Sequence, residues 1–230
     1  MTEPVQISTP DGSFACHVAR PSTPGPHPVV VVLQEIFGVN AGIRSIAADW
    51  AAKGYIALCP DLFWRLEPGI NLSEERAGDW DKAFALYQAY DVDLGVKDIA
   101  LVIHQARGLP DASGKVGVTG YCLGGLMTFL SAARTDGDAF AAYYGGGTDQ
   151  HLDELANITA PLLYHLAQDD EFIDQDAQAR IRAALAGKAE LHSYPGCNHA
   201  FARPGGAHYD AAAATLAAAR TEAFFARTLR

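Results

Sequence analysis

Residues 29–33 read Val-Val-Val-Val-Leu, after Pro28 and before Gln34 and Glu35. Four β-branched residues and a leucine in succession leave no polar face in either strand register, so both faces of this strand must be covered. A strand covered on both sides belongs inside a sheet with helices above and below it. The rest of the chain supplies them: β-rich runs at 55–59, 115–119, 139–144, 161–166 and 190–194 alternate with longer helical patterns. The expected class is therefore α/β, a mostly parallel central sheet with helices on both faces. Near the amino end, runs at 5–7 and 14–18 flank Asp11-Gly12, which reads as a hairpin turn.

Ile43, Ile46, Ala47, Trp50 and Ala51 recur at helical spacing, with Gly54 placed to close that helix. Residues 75–106 are helical twice over, with a break at 90–95, and Val96, Ile99, Ala100 and Ile103 line one apolar face. Met127, Leu130 and Ala133 mark another helix, and the alanine-rich 208–227 makes a closing one. Residues 61–74, holding Pro68, Gly69 and Asn71, lack a period and read as an excursion outside the core. Without a repeat or a linker-like stretch to divide the 230 residues, one domain spanning 1–230 is expected.

Composition removes several function classes. With 49% hydrophobic and 19% charged residues the chain is no disordered or fibrous protein. A formal net charge of −10 argues against a duplex nucleic-acid binder, which needs a basic face to neutralise phosphates. The run at 29–33 falls far short of the ~20 residues of a membrane span. The start, Met1-Thr2-Glu3-Pro4-Val5-Gln6, lacks the charged and apolar regions of a secretion signal, so a cytoplasmic place is expected. Cys16, Cys59, Cys122 and Cys197 stand far apart with no CxxC pair, which spells neither a zinc site nor a redox dithiol, and free thiols are expected.

One of these cysteines sits in a chemically suggestive turn. Gly120-Tyr121-Cys122-Leu123-Gly124 has the form G-x-C-x-G between a strand and a helix, the thiol counterpart of the G-x-S-x-G nucleophile elbow. A helix beginning beneath Cys122 favours negative charge on sulfur, and the Leu123 amide is placed to donate to a developing oxyanion. The bland alternative is a glycine-rich turn around an inert cysteine. A base and an orienting acid are also available in the order nucleophile, acid, histidine: the acidic loop Gln168-Asp169-Asp170-Glu171 follows one strand, and His199 follows the last. Singly, Asp170 could be a helix cap and His199 a surface histidine. Open parallel sheets gather such loops at the carboxyl ends of their strands.

Four stretches, Gln-Glu-Ile-Phe-Gly-Val-Asn at 34–40, Cys-Pro-Asp-Leu at 59–62, Gly-Tyr-Cys-Leu-Gly-Gly at 120–125 and His-Ala-Phe-Ala-Arg at 199–203, together resemble the dienelactone hydrolase (carboxymethylenebutenolidase) family. The resemblance covers nearly the whole chain. It implies an α/β-hydrolase fold and a triad of Cys122, His199 and Asp170. Asp170 is preferred to Asp169 because the family's acid is followed by the pattern that Phe172 and Ile173 satisfy. It further implies that Glu35 lies beside the nucleophile and helps control its ionisation, and that the Ile36 amide completes the oxyanion hole with Leu123. Read on its own, Glu35 is a salt-bridged rim residue with Arg44 as its candidate partner.

The family grips a small carboxylated lactone with two arginines. Arg203 matches one; Trp80 stands at the position of the other, with Arg76 one turn earlier as the nearest substitute, Phe37 as a further lining residue and Ala200 where a serine is common. The implied reaction is opening of small enol lactones such as dienelactone, to maleylacetate, through a thioester acyl-enzyme. No metal or organic cofactor is called for, the partner is a small-molecule lactone or ester, and a monomer is expected. The rivals are a broader carboxylesterase or thioesterase and a non-catalytic ligand-binding or redox-thiol protein of the same fold.

Overall fold

The structure, a computed structural model, describes residues 4–230. Its strands are β1 (Val5–Thr9), β2 (Gly12–Ala19), β3 (His27–Leu33), β4 (Ile56–Pro60), β5 (Ala112–Tyr121), β6 (Ala139–Tyr143), β7 (Leu162–Ala167) and β8 (Glu190–Tyr194). They form one sheet in the order β1-β2-β4-β3-β5-β6-β7-β8, antiparallel at β1–β2 and β2–β4 and parallel from there on. The helices are α1 (Ala41–Ala52), α2 (Asp79–Ala89), α3 (Val92–Arg107), α4 (Leu123–Arg134), α5 (Gln175–Leu185) and α6 (Ala211–Thr228). This is an α/β-hydrolase fold.

The β-branched run explains the layering. Val29, Val31 and Leu33 face one core with residues of α3, α4 and α5, while Val30 and Val32 face a second core with residues of α1 and α6. Every residue of β3 is buried, because alternate side chains of one strand enter two separate cores.

Several boundaries differ from the sequence expectations for local reasons. α2 begins at Asp79 rather than near 75, because Gly78 in a left-handed conformation ends the preceding turns. The break before α3 shrinks to Tyr90 and Asp91, where the Asp91 carboxylate accepts from the amides of Asp93 and Leu94. Asp210 caps α6 by accepting from Ala213, so that helix opens at Ala211. The hairpin loop is Pro10-Asp11, with Gly12 already paired to Thr9. The excursion at 61–74 is not outside the core, since Leu62, Phe63, Ile70 and Leu72 are all buried. Helix α5 was not anticipated; its buried stripe of Ala177, Gln178, Ile181 and Leu185 is too weakly apolar to stand out. Among the described residues no helix is long and apolar enough to cross a membrane.

Candidate active site

The chain leaves β3 for β4 on one side of it and returns to β5 on the other, so the carboxyl ends of β3 and β5 form a switch point where a crevice opens. Gln34, Glu35 and Ile36 leave one lip; Cys122 leaves the other. Cys122 lies at φ 55°, a left-handed conformation that is strained for a residue with a Cβ. The turn is tight because α4 starts immediately and is pressed against β3: a Cβ on Gly124 would lie 2.5 Å from the Leu33 carbonyl oxygen. The same turn leaves Cys122 partly exposed, whereas Cys16, Cys59 and Cys197 are buried, and all four are free thiols.

Asp170 and His199 arrive on the loops after β7 and β8. His199 Nδ1 lies 3.0 and 2.9 Å from the two carboxylate oxygens of Asp170, and both side chains are almost fully buried. Asp169, by contrast, is exposed. Asp170 Oδ1 also accepts from the amides of Phe172 and Ile173, which holds the carboxylate in place independently of the histidine. Nε2 of His199 is buried, and with Nδ1 committed to Asp170 it is the ring nitrogen left to interact with the Cys122 sulfur. Burial disfavours charge on the ring, but the charge of the Cys122 sulfur and the bonds to Asp170 outweigh it and push the imidazole up to about 10. His199 is therefore the group at this site whose charged form the surroundings favour.

Cys122 and His199 open on a cavity of about 240 Å³ whose wall includes Ile36, Leu123, Trp80, Phe84, Tyr87 and Phe172. The Leu123 amide heads α4, the Ile36 amide lies in the loop after β3, and neither donates to an acceptor among the described residues. Unengaged N–H groups in residues that line one cavity with a nucleophile are what an oxyanion hole can be built from. Trp80, Phe84 and Tyr87 share one face of α2, where their spacing of four and three residues stacks them; Trp80 and Phe84 lie 5.5 Å apart. Phe172 and Tyr144 pack edge-on against the His199 ring at 4.9 and 5.1 Å.

Arg203 lines this cavity too, but its guanidinium is engaged. Nε and Nη2 donate to Glu35 at 2.6 and 3.1 Å, Nη1 donates to Glu74, and the group lies over the Phe37 ring at 5.0 Å. Burial opposes its charge, and the neighbouring Glu35 more than restores it, so Arg203 stays above its ordinary range. Glu35 is thus paired with Arg203, while Arg44 donates to the Val39 carbonyl. Arg76 turns away from Cys122: it donates to the Asn71 carbonyl at 2.7 Å, pairs with Asp79 and borders a neighbouring cavity. Phe37 is buried between Arg203 and Trp80 and borders that neighbouring cavity rather than the one at Cys122. Sequence reasoning missed Glu74, Phe84, Tyr87 and Tyr144, and read Phe172 only as a marker of the acid and not as part of the cavity wall. The aromatic spacing on α2 was the available signal for two of them; Glu74 lay in a stretch without period.

The profile of the dienelactone hydrolase family matches residues 14–229. The chain belongs to this family. A relative from Azospirillum brasilense is 43% identical over 221 residues, 95% of each chain. The carboxymethylenebutenolidase of Pseudomonas putida is 37% identical over 229 residues, 98% of this chain and 97% of its own length. Among solved structures, a Klebsiella pneumoniae chain matches with a TM-score of 0.87 and 28% identity over 97% of each chain. Dienelactone hydrolase from Anabaena variabilis matches over 99% of this chain and 97% of its own with a TM-score of 0.73; at 19% identity it speaks for the fold.

Proposed function

We propose that this dienelactone hydrolase family member opens small enol lactones and activated enol or aryl esters through Cys122, His199 and Asp170, with dienelactone, opened to maleylacetate, as the substrate the family resemblance names. That it is a hydrolase of carboxylic ester bonds follows from its family. The thiol mechanism is supported above all by one observation: a partly exposed cysteine in a strained left-handed turn faces a cavity together with a buried histidine that is bonded to a buried aspartate.

Cys122 Sγ, as thiolate, attacks the carbonyl carbon; a C–S bond forms and the carbonyl electrons move onto oxygen, to which the Leu123 and Ile36 amides donate hydrogen bonds. Collapse breaks the ring C–O bond, and the departing enolate takes the proton held by His199 Nε2. In a lactone that oxygen stays tethered to the acyl group. Water then gives a proton to His199 and attacks the thioester, and the thiolate leaves with the charge. Asp170 holds the ring so that Nε2 faces the sulfur and stabilises its positive charge. A thiolate is expelled more readily than an amine from a tetrahedral intermediate, so esters and lactones suit this site and amides do not.

A broader carboxylesterase is the second reading, and Trp80 together with the outward-turned Arg76 favours it. The same proposal has one domain acting as a monomer in the cytoplasm. One sheet running through the described residues supports the first part, and four free thiols support a reducing compartment. The test is Cys122→Ala with an activated enol lactone or aryl ester. Hydrolysis should fall at least about 10³-fold, and mass spectrometry of the wild type should catch an acyl adduct on Cys122; undiminished turnover by the variant would overturn the assignment.

A further inference from the structure

Three side chains near the carboxyl ends of β6, β7 and β8 meet one side chain of α6 in a buried set of hydrogen bonds. Thr221 Oγ1 lies 2.5 Å from the Tyr143 hydroxyl and 2.9 Å from His165 Nε2, and His165 Nδ1 lies 2.8 Å from the Tyr194 hydroxyl. None of the four residues is more than 3% exposed, and none borders the cavity at Cys122. The hydrogen count assigns their roles. Thr221 has one hydroxyl hydrogen and donates it to the Ala217 carbonyl at 3.0 Å, so its oxygen receives from Tyr143 and from His165 Nε2. Nδ1 then accepts from Tyr194. The count closes with a neutral ring, and burial, with His192 and Arg220 nearby, holds His165 well below its ordinary range.

These residues stand in a row across the sheet, each a short way before a member of the triad. Tyr143 is in register with Tyr121, the residue before Cys122, on one side and with His165 on the other. Their rings pack at 4.6 and 4.2 Å. Backbone bonds carry the row into the loops: Cys122 N donates to the Tyr143 carbonyl at 3.2 Å, Gln168 N to the Tyr194 carbonyl at 3.1 Å and Asp169 N to the Cys197 carbonyl at 2.9 Å. Asp170 follows the last donor directly, and His199 lies two residues beyond the last acceptor. The segments bearing nucleophile, acid and base thus hang from Tyr143, His165 and Tyr194, and α6 holds all three through the Thr221 hydroxyl and the imidazole that meets it.

We propose that Thr221 is a positioning residue for the hydrolysis: through Tyr143, His165 and Tyr194 it fixes the strand ends that carry Cys122, Asp170 and His199, and so sets the spacing within the triad from the far side of the sheet. This rests on the reading that the triad performs the chemistry.

The test is Thr221→Val, which keeps the shape of the side chain and leaves the Tyr143 and His165 donors facing a methyl group. Assayed on an activated aryl ester well below its melting temperature, the variant should lose about 10- to 10²-fold in kcat with KM little changed, since misplaced reacting groups slow chemistry more than binding. Thr221→Ser restores the hydroxyl and should restore kcat. Thr215→Val removes an exposed hydroxyl that makes the same kind of bond, to the Ala211 carbonyl four residues back on α6, and should change nothing. Tyr143→Phe deletes one bond without burying an orphan donor, so it serves if Thr221→Val fails to fold, and should lower kcat in the same direction by a smaller factor. By NMR the His199 ring should titrate at lower pH in Thr221→Val than in wild type, because the Cys122 and Asp170 contacts that raise it are loosened; a role in stability alone would leave it where it is. An unchanged kcat in the folded variants, no rescue by serine, or an unmoved His199 titration overturns the proposal. Failure of the thiol mechanism would show elsewhere, as undiminished hydrolysis by Cys122→Ala, while the His199 titration reads positioning without any substrate.

Discussion

Arg203 grips Glu35 with two roughly parallel bonds, Nε to Oε2 at 2.6 Å and Nη2 to Oε1 at 3.1 Å, which joins the loop after β8 to the end of β3. The two partners are not equally replaceable. Arg203→Ala leaves Glu35 and Glu74 facing one another without a cation and should cost roughly 3–5 kcal/mol. Glu35→Gln leaves Arg203 with Glu74 and should cost only about 1–2 kcal/mol. Urea unfolding of both variants checks this; equal losses would show that the arginine is not the common partner of two acids.

Asp170→Asn should lower kcat by about 10²- to 10⁴-fold, since an amide cannot stabilise the imidazolium and favours the wrong tautomer. The fold should survive, because the side-chain oxygen still accepts from Phe172 and Ile173. The measurement is steady-state kinetics beside a melting curve. A large fall in melting temperature with little kinetic change would make Asp170 a structural acid.

The pH dependence follows from His199. Burial works against its charge, yet Cys122 and Asp170 push it up to about 10, above its ordinary value near 6.5. A group whose pKa rises on folding contributes stability that is fully present below about 6.5 and is lost as pH climbs toward about 10. Cys122→Ala removes one of the causes. The stability gap between wild type and this variant should therefore be widest near pH 6 and close as pH approaches 10, read from denaturation midpoints across that window. The His199 ring should titrate at lower pH in the variant by NMR. A gap that widens with rising pH would reverse the sign expected of a histidine raised by folding.

Gly124→Ala forces a methyl group to within 2.5 Å of the Leu33 carbonyl oxygen and 2.7 Å of that of Gln34. The backbone has to move, at about 1–3 kcal/mol or more, and what moves is the end of β3 that leads into Glu35 and Ile36. Both stability and hydrolysis should fall. Gly146→Ala, where the added carbon meets nothing within 4 Å, is the stability control. Equal stability of the two variants, measured by thermal melts, would contradict the tight packing of the turn.

Much of the architecture was legible in the residues because it depends on local pattern. The run at 29–33 announces a doubly covered strand, since alternate side chains of any strand point to opposite faces whatever its neighbours are. Regular elements with strongly apolar faces, such as α1 and α3, carry their own period. Helix α5 did not, because its buried face is made partly of alanine and a glutamine whose amide is satisfied by the carbonyls of Gln168 and Ile173. The excursion at 61–74 escaped for the same reason: Leu62, Phe63, Ile70 and Leu72 enter the core one at a time from an irregular backbone.

For the site, residue order and turn chemistry alone pointed to Cys122, Asp170 and His199, because a strand-to-helix turn and loops at strand ends are properties of short segments. Which charges meet is of another kind. Arg203 could have stood free to hold a substrate, and Glu35 could have paired with Arg44; nothing in a linear chain chooses between them. Long flexible side chains from distant segments find partners only when the backbone has closed around them, and the strength of each pairing depends on how much water that closure removes. Folding put two glutamates on Arg203, turned Arg76 outward and set three aromatic side chains of α2 on the wall of the cavity that Cys122 borders.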